Sequence, residues 1–437
     1  MGNTRERVNE FLKKYGMHYD SIDIDENCST FMEEMKNGLE GNESSLMMLP
    51  TYISMDKDIP VEERVIVMDG GGTNFRVAIV HFDKDKKVVI EDFALYPMPG
   101  TKGEIDREEF FRTIAGYMKP VLNKSNKIAF CFSYPTEMYP NKDGRHIRFS
   151  KEVRVKGVDG QFIGENLLKT IKEMGYKDEK SFVLLNDTVA TLLGGKASYP
   201  DRVFDSYIGF ILGTGTNTCY IEENKNIGKV EEVANSEGSM LINVESGIYS
   251  KAPRGQIDIE FDSKTENPDD HIFEKMMSGG YQGSLMLAVI NKAVEEGLFS
   301  KAFVSNISHI NALASKEIDD FLNYPYGGNT LANCCPVGCE EDRLILYYLI
   351  DAIIERAAKL VAVNFSAVIL KTGKGTNPCA PVCITAEGST FYKSKLFKGK
   401  LEYYIRTYLN DKKKAYCEFV KADNATLIGT AIAGLLN

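Results

Sequence analysis

Two matched glycine-rich turns constrain this chain most. The first lies in VIVMDGGGTNFRVAIV, with Asp69, Gly70, Gly71, Gly72, Thr73 and Asn74 at its bend. The second lies in YIGFILGTGTNTCYIE, with Gly213, Thr214, Gly215, Thr216 and Asn217 at its bend. Each turn joins two apolar runs of strand character, so one supersecondary unit occurs twice. Glycine lets backbone approach a phosphate closely, and turn N–H groups then point at the anion. A plain Asp-Gly or Asn-Gly hairpin explains either turn alone. The second copy moves the reading towards two jaws around a polyphosphate. No GxxxxGK[ST] loop is present. The second turn is no dinucleotide fingerprint either, because residue 218 is threonine and no helix follows it.

The rest of the chain supplies an α/β frame for these turns. Strand patterns recur at VVIEDFALYPM, KIAFCFSYP, KSFVLLND and APVCITAEG. Between them come helical patterns at 4–16, 29–40, REEFFRTIAGYMKPVL, ENLLKTIKEMG, DTVATLLGGKA, 341–370 and TLIGTAIAGLL. Asn267 and Pro268 predict a helix start, with Asp269 and Asp270 placed against the dipole. A chain of 437 residues, 43% hydrophobic and 26% charged, buries a large core and is expected to form at least two lobes. A net charge of -10 argues against non-specific nucleic-acid binding. No apolar run reaches the ~18 residues that span a bilayer. The first residues lack the apolar stretch of a signal peptide and the myristoylation pattern. Nine irregularly spaced cysteines point to reduced thiols and a cytoplasmic setting. Cys334, Cys335 and Cys339 cluster without a CxxC or a nearby histidine pair, so zinc is not expected there.

Several polar residues carry possible chemistry. Asp69 ends the first strand and suits Mg²⁺ held through water, the ion then neutralising phosphate oxygens. Asp187, in LLNDTV, sits where a buried strand becomes a helix, the place where α/β folds collect ligands. It reads either as a helix cap or as a general base for an attacking hydroxyl. Glu245 in LINVESGIY and Glu274 in IFEKMMSGGY are carboxylates among apolar neighbours. Each reads as a surface charge or as an acceptor for vicinal hydroxyls. Ser133 and Lys151 mean little by themselves.

In this order the segments resemble the hexokinase family, within the actin-like ATPase superfamily, from about Val65 to Leu436. DGGGTNFRV is similar to the family's first phosphate motif, Arg76 included, and GTGTNTCYIEE to its second. FSYP and RFSK resemble its sugar segment, and LLNDTVATLL its catalytic motif. INVESG and NPDDHIFEKMMSGGYQG resemble the segments of its two sugar glutamates. ERAAKLVA and AEGSTFY resemble its nucleotide-side helix and adenosine segment. The related bacterial sugar kinases with a cysteine-rich zinc motif fit less well, since that motif is missing.

The resemblance implies two lobes of duplicated, ribonuclease H-like α/β fold around a central cleft. The small lobe would take 61–185 with 424–437, and the large lobe 1–60 with 186–423. The implied activity is ATP- and Mg²⁺-dependent phosphorylation of the 6-hydroxyl of glucose or a similar hexose, entering glycolysis. Asp187 would be the base, with Lys151 beside it. Ser133, Ser150, Lys151, Asn186, Asn217, Glu245 and Glu274 would hold the sugar. Asp69 would orient the metal. Gly71, Gly72, Thr73, Asn74, Arg76, Thr214 and Gly215 would face the phosphates, and Gly388 and Ser389 the adenosine. The implied partners are a hexose, with no nucleic acid and no membrane, in a monomer or homodimer. Three departures bear on the preferred hexose: Ser246 and Phe149 replace family tryptophans, and Ser150 a threonine. The rivals are a kinase for another polyol, a catalytically silent sugar sensor, and an actin- or chaperone-like ATPase. FSYP, RFSK and NVESG disfavour glycerol, and Asp187 with both glutamates disfavours the silent form.

Overall fold

The computed structural model describes residues 2–149 and 153–437. The strands of its two main sheets are β1 (Leu49–Pro50), β2 (Val65–Gly71), β3 (Asn74–Phe82), β4 (Val88–Pro97), β5 (Lys127–Phe132) and β6 (Ser181–Leu185). They continue as β7 (Ser206–Leu212), β8 (Thr216–Glu223), β9 (Ser239–Asn243), β10 (Val382–Glu387) and β11 (Cys417–Val420). One sheet has the order β4-β3-β2-β5-β6. The other has the order β1-β9-β8-β7-β10-β11. Apart from β1, the second sheet repeats the first strand for strand. In both, the first strand runs antiparallel to the second and parallel to the fourth. The glycine turns are the first hairpin of each repeat. The expected duplicated α/β architecture is therefore present.

Burial explains why these segments are strands. In β2 every residue but the last is buried, so VIVMDGG reads as a continuous apolar run, as strands covered on both faces do. The edge strand β4 is largely open to solvent, with Phe93 and Leu95 exposed.

A helix follows the last strand of each repeat: α1 (Asp187–Ser198) after β6 and, near the end of the chain, α6 (Ala425–Leu436) after β11. The two cross in close contact. A Cβ on Gly429 would fall 1.8 Å from the Ala190 carbonyl oxygen, and one on Gly194 2.3 Å from that of Ala425. Only glycine permits backbones this near. Asp187 and Ala425, the first residues of the two helices, both line the cleft described below. Between β9 and β10 lie α2 (Ile272–Met277), α3 (Gly279–Glu295) and α4 (Glu340–Thr372), with α5 (Ser389–Lys393) just after β10. The helix α4 is buried along most of its length, as its apolar sequence predicts. Its Arg356 forms a buried two-pronged pair with Asp258.

Two expectations need correction. No helix starts at Asn267–Pro268; α2 begins at Ile272. Asp269 would lie in the first turn of such a helix, but it takes left-handed backbone, φ +61, which breaks a right-handed helix. Tertiary bonds hold the segment instead. The Asn267 carbonyl accepts from Lys275 Nζ at 2.6 Å, and Asp269 N donates to Asp262 at 3.0 Å. The second N-terminal helix starts at Ile24 rather than 29, because Asp23 caps it by accepting from Glu26 N at 3.0 Å. Among the described residues, no helix is long and apolar enough to cross a membrane.

Candidate functional site

The parallel strands β2, β5 and β6 bring their carboxyl ends level. Asp69 pairs with Cys131 in register, and Cys131 with Leu185. The next residues of β6 are Asn186 and Asp187. Asn186 is the helix cap, its Oδ1 accepting from Thr188 N at 2.9 Å. Capping is thus done by the neighbour, and the Asp187 carboxylate is left to face the cleft. Burial raises the Asp187 pKa above the ordinary aspartate value, and the nearby Asp69 charge pushes the same way. A hydrogen bond from Ser133 opposes both.

The first glycine turn is a tight hairpin in which Gly71 pairs with Asn74, leaving Gly72 (φ +56) and Thr73 at the tip. Asp69 Oδ2 takes Arg76 Nη1 at 3.0 Å and the Thr426 hydroxyl, from the first turn of α6, at 3.2 Å. The second turn is clamped from behind. Gly279 N and Gly280 N, at the start of α3, donate to the Gly213 and Thr214 carbonyls at 2.8 and 3.0 Å. The Thr390 hydroxyl also reaches the Gly213 carbonyl, at 3.0 Å. Gly213 N is also taken, by the Gly215 carbonyl at 2.9 Å, so the Thr214 and Gly215 N–H groups at the tip are the ones left for an anion.

Glu274 is bound to that turn, accepting from Thr216 N at 2.9 Å. The approach requires glycine at 215, where a Cβ would lie 2.5 Å from Glu274 Oε2. Asn217, Asn243 and Glu245 form a second cluster. Asn243 Nδ2 donates to Glu245 Oε1 at 2.7 Å, and Asn217 Nδ2 to Asn243 Oδ1 at 2.8 Å. Glu245 has left-handed backbone, φ +55, a strained state for a side chain with a Cβ. Burial raises the pKa of both Glu245 and Glu274.

These residues surround one cleft of ≈ 1120 Å³. Asp69, Gly71, Gly72, Asn74, Arg76, Ser133, Asp187, Thr214, Gly215 and Glu274 line it. Asn186 and Glu245 line a small adjoining cavity with Asn243, and Asn217 joins them through its hydrogen bonds. Gly388 and Ser389 lie behind Gly213, and Thr73 sits exposed at the first tip. Ser150 and Lys151 lie outside the described residues. A volume near 1000 Å³ is at the upper end for one small ligand, so this cleft has room for a nucleotide beside a sugar.

Sequence reasoning missed Asn243, Thr426 and the charged group at the cleft edge. There Arg148 Nη2 meets Asp270 at 3.3 Å, and His271 Nδ1 meets the same carboxylate at 2.7 Å. Burial works to raise the Asp270 pKa, but His271 and Arg148 hold it below the ordinary value. Asn243 was legible as a polar residue ending an apolar strand. The other contacts join distant segments and left no local signal.

Hexokinase family models match residues 207–436 and 7–197. The chain belongs to the hexokinase family. It is 26% identical over 454 residues to Hexokinase-1 of Rattus norvegicus, covering 98% of this chain and 48% of that one. It is 26% identical over 433 residues to Hexokinase-1 of Schizosaccharomyces pombe, covering 93% and 86%. The chain thus spans about half the length of the mammalian hexokinases it matches. In fold it is similar to the hexokinase from Schistosoma mansoni complexed with glucose, with TM-score 0.77, 24% identity and 99% of each chain covered. A glucokinase from an Antarctic psychrotroph is less similar, with TM-score 0.53, 16% identity, and 85% and 98% covered.

Proposed function

We propose that this chain transfers the γ-phosphoryl group of ATP to the 6-hydroxyl of glucose or a similar hexose. One observation carries the reading: both glycine turns open on a single cleft with Asp187 between them. On the sugar side, Ser133, Asn186, Asn217, Glu245 and Glu274 offer acceptors and donors for a polyhydroxy ring. Ser150 and Lys151 join them through the family resemblance. On the other side, Gly71, Gly72, Thr73, Asn74, Arg76, Thr214 and Gly215 would meet the phosphates, and Gly388 and Ser389 the adenosine. Asp69 would hold Mg²⁺. The residues present suit that ion, which is bound by one or two carboxylates with phosphate and water rather than by a protein cage. When bound, it would neutralise charge on the β- and γ-phosphate oxygens.

Asp187 would accept the proton of the sugar hydroxyl. Its raised pKa is still far below that of an alcohol, so the proton moves late, as the phosphoryl group arrives. Positioning and charge neutralisation therefore supply most of the rate enhancement. We further propose lobes of 61–185 with 424–437, and 1–60 with 186–423. The confinement of β2–β6 to the first range supports the division, as does the packing of α6 against β2 and β5. Sugar binding would close them and exclude water from the transferred group. The unbridged cysteines support a reducing compartment, the cytoplasm.

The direct test is Asp187→Ala in an assay of ADP release with a hexose panel. Loss of a general base lowers kcat by about 10²–10⁴-fold. Turnover at the wild-type rate would remove Asp187 from the mechanism.

A further inference from the structure

The sugar-side cluster is tied to the core by a chain of buried polar groups that the proposed mechanism does not use. Asn364 lies in the middle of α4 and is fully buried. Its Nδ2 donates to the Thr218 hydroxyl at 2.6 Å. Thr218, also fully buried, lies on the face of β8 towards α4, and its Oγ1 is 3.1 Å from the hydroxyl of Ser246. Ser246 is fully buried too and directly follows the strained Glu245. A buried amide is costly unless bonded, and this one has a single partner, its Oδ1 having none among the described residues.

We propose that Asn364 is a positioning residue for hexose binding, acting through Thr218 and Ser246 on Asn217 and Glu245. An amide NH₂ only donates, so the Thr218 oxygen accepts from Asn364 and turns its own hydrogen to Ser246. Ser246 is thereby fixed from the side chain. Its backbone N then donates to Asn217 Oδ1 at 3.3 Å, beside Thr218 N at 2.7 Å. Two N–H groups on one oxygen set the Asn217 amide with its Nδ2 towards Asn243 and Glu245. Pinning residue 246 also holds Glu245 in its left-handed conformation, which persists only where the surroundings over-determine it. The resemblance leads one to expect tryptophan at 246. In this chain a hydroxyl chain fills that role, and α4 supplies its first donor.

This inference rests on the proposed hexose site. Asn364→Leu removes the donor at similar volume. It should raise the hexose KM by roughly tenfold, the order expected when a buried hydrogen bond is lost and its partner stranded. The ATP KM should stay close to wild type. Adding Thr218→Val to Asn364→Leu should then cost no more than either change alone, since both cut one chain. An unchanged hexose KM, equal losses for sugar and ATP, or additive effects would each overturn the proposal. If Asn364→Leu does not fold, Ser246→Ala removes the same link by one oxygen and must itself weaken hexose binding. An unchanged affinity there overturns the proposal as well. Wild-type turnover separates the two readings. Hexose bound in calorimetry but never phosphorylated defeats the kinase reading alone, and the variants are then scored on binding. No hexose binding by the wild type defeats both.

Discussion

At the scale of single residues, the site stores unfavourable charge. Asp187, Glu245 and Glu274 are all pushed above their ordinary pKa values by burial. A carboxyl group raised on folding binds protons better in the native state. Its contribution to stability is therefore full below the unfolded pKa and is lost as pH rises through the folded one. Above its raised folded value each is ionised and destabilising. Asp187→Asn should therefore melt at a higher temperature than wild type on the alkaline side of that value. The gain should shrink towards zero as pH falls below the ordinary aspartate value of 3.8, and calorimetry across that range tests it. On the proposed mechanism the same variant should lose turnover, so stability and activity should move in opposite directions. With Asp187 as the proposed base, which must be ionised to act, the acid limb of wild-type kcat should likewise lie above the ordinary aspartate range. The sequence identified Glu245 and Glu274 by their apolar neighbours and Asp187 by its place where a buried strand becomes a helix. It did not show that Asn186 takes the cap and frees Asp187, because either residue suits that place.

At the scale of elements, Glu274 couples the two halves of the site. It belongs to α2 on the sugar side, yet it holds Thr216 N in the second glycine turn. Glu245→Ala should weaken hexose affinity alone, whereas Glu274→Ala should weaken hexose and ATP together. Gly215→Ala should do the same without touching a carboxylate, since its Cβ would displace Glu274. Isothermal titration with each ligand distinguishes these outcomes, and an effect of Gly215→Ala confined to ATP would refute the coupling. The crossing of α1 and α6 is a second element-scale dependence. Gly429→Ala should destabilise by about 1–3 kcal/mol or more through overpacking against Ala190, read as a fall in melting temperature. Strands and most helices were legible because their periodicity is local. The failure at Asn267–Pro268 shows the limit: the capping pattern was sound, but Lys275 and Asp262 claimed the backbone groups a helix would have used.

At the scale of the whole molecule, two repeats of one five-strand unit face each other across the cleft. The duplicated hairpins were legible from the first reading. The repeat of strand order and of the helices α1 and α6 was not, because the copies share topology and few residues. If the lobes close on sugar, small-angle scattering should show a smaller radius of gyration with glucose. An unchanged profile would count against a hinge. The pair Arg148–Asp270 sits at the edge of that cleft with both side chains partly in solvent, 57% and 36% exposed. Exposed pairs of this kind contribute about 0–1 kcal/mol, enough to bias an open–closed ratio by no more than about fivefold. The remainder of any closing force must come from the ligand. Ionic strength therefore becomes a handle on the empty enzyme. Near 1 M salt the screening length falls to about 3 Å, and sugar-free protein should open to the same extent as Arg148→Ala does in dilute buffer. With hexose bound, the two conditions should scarcely differ.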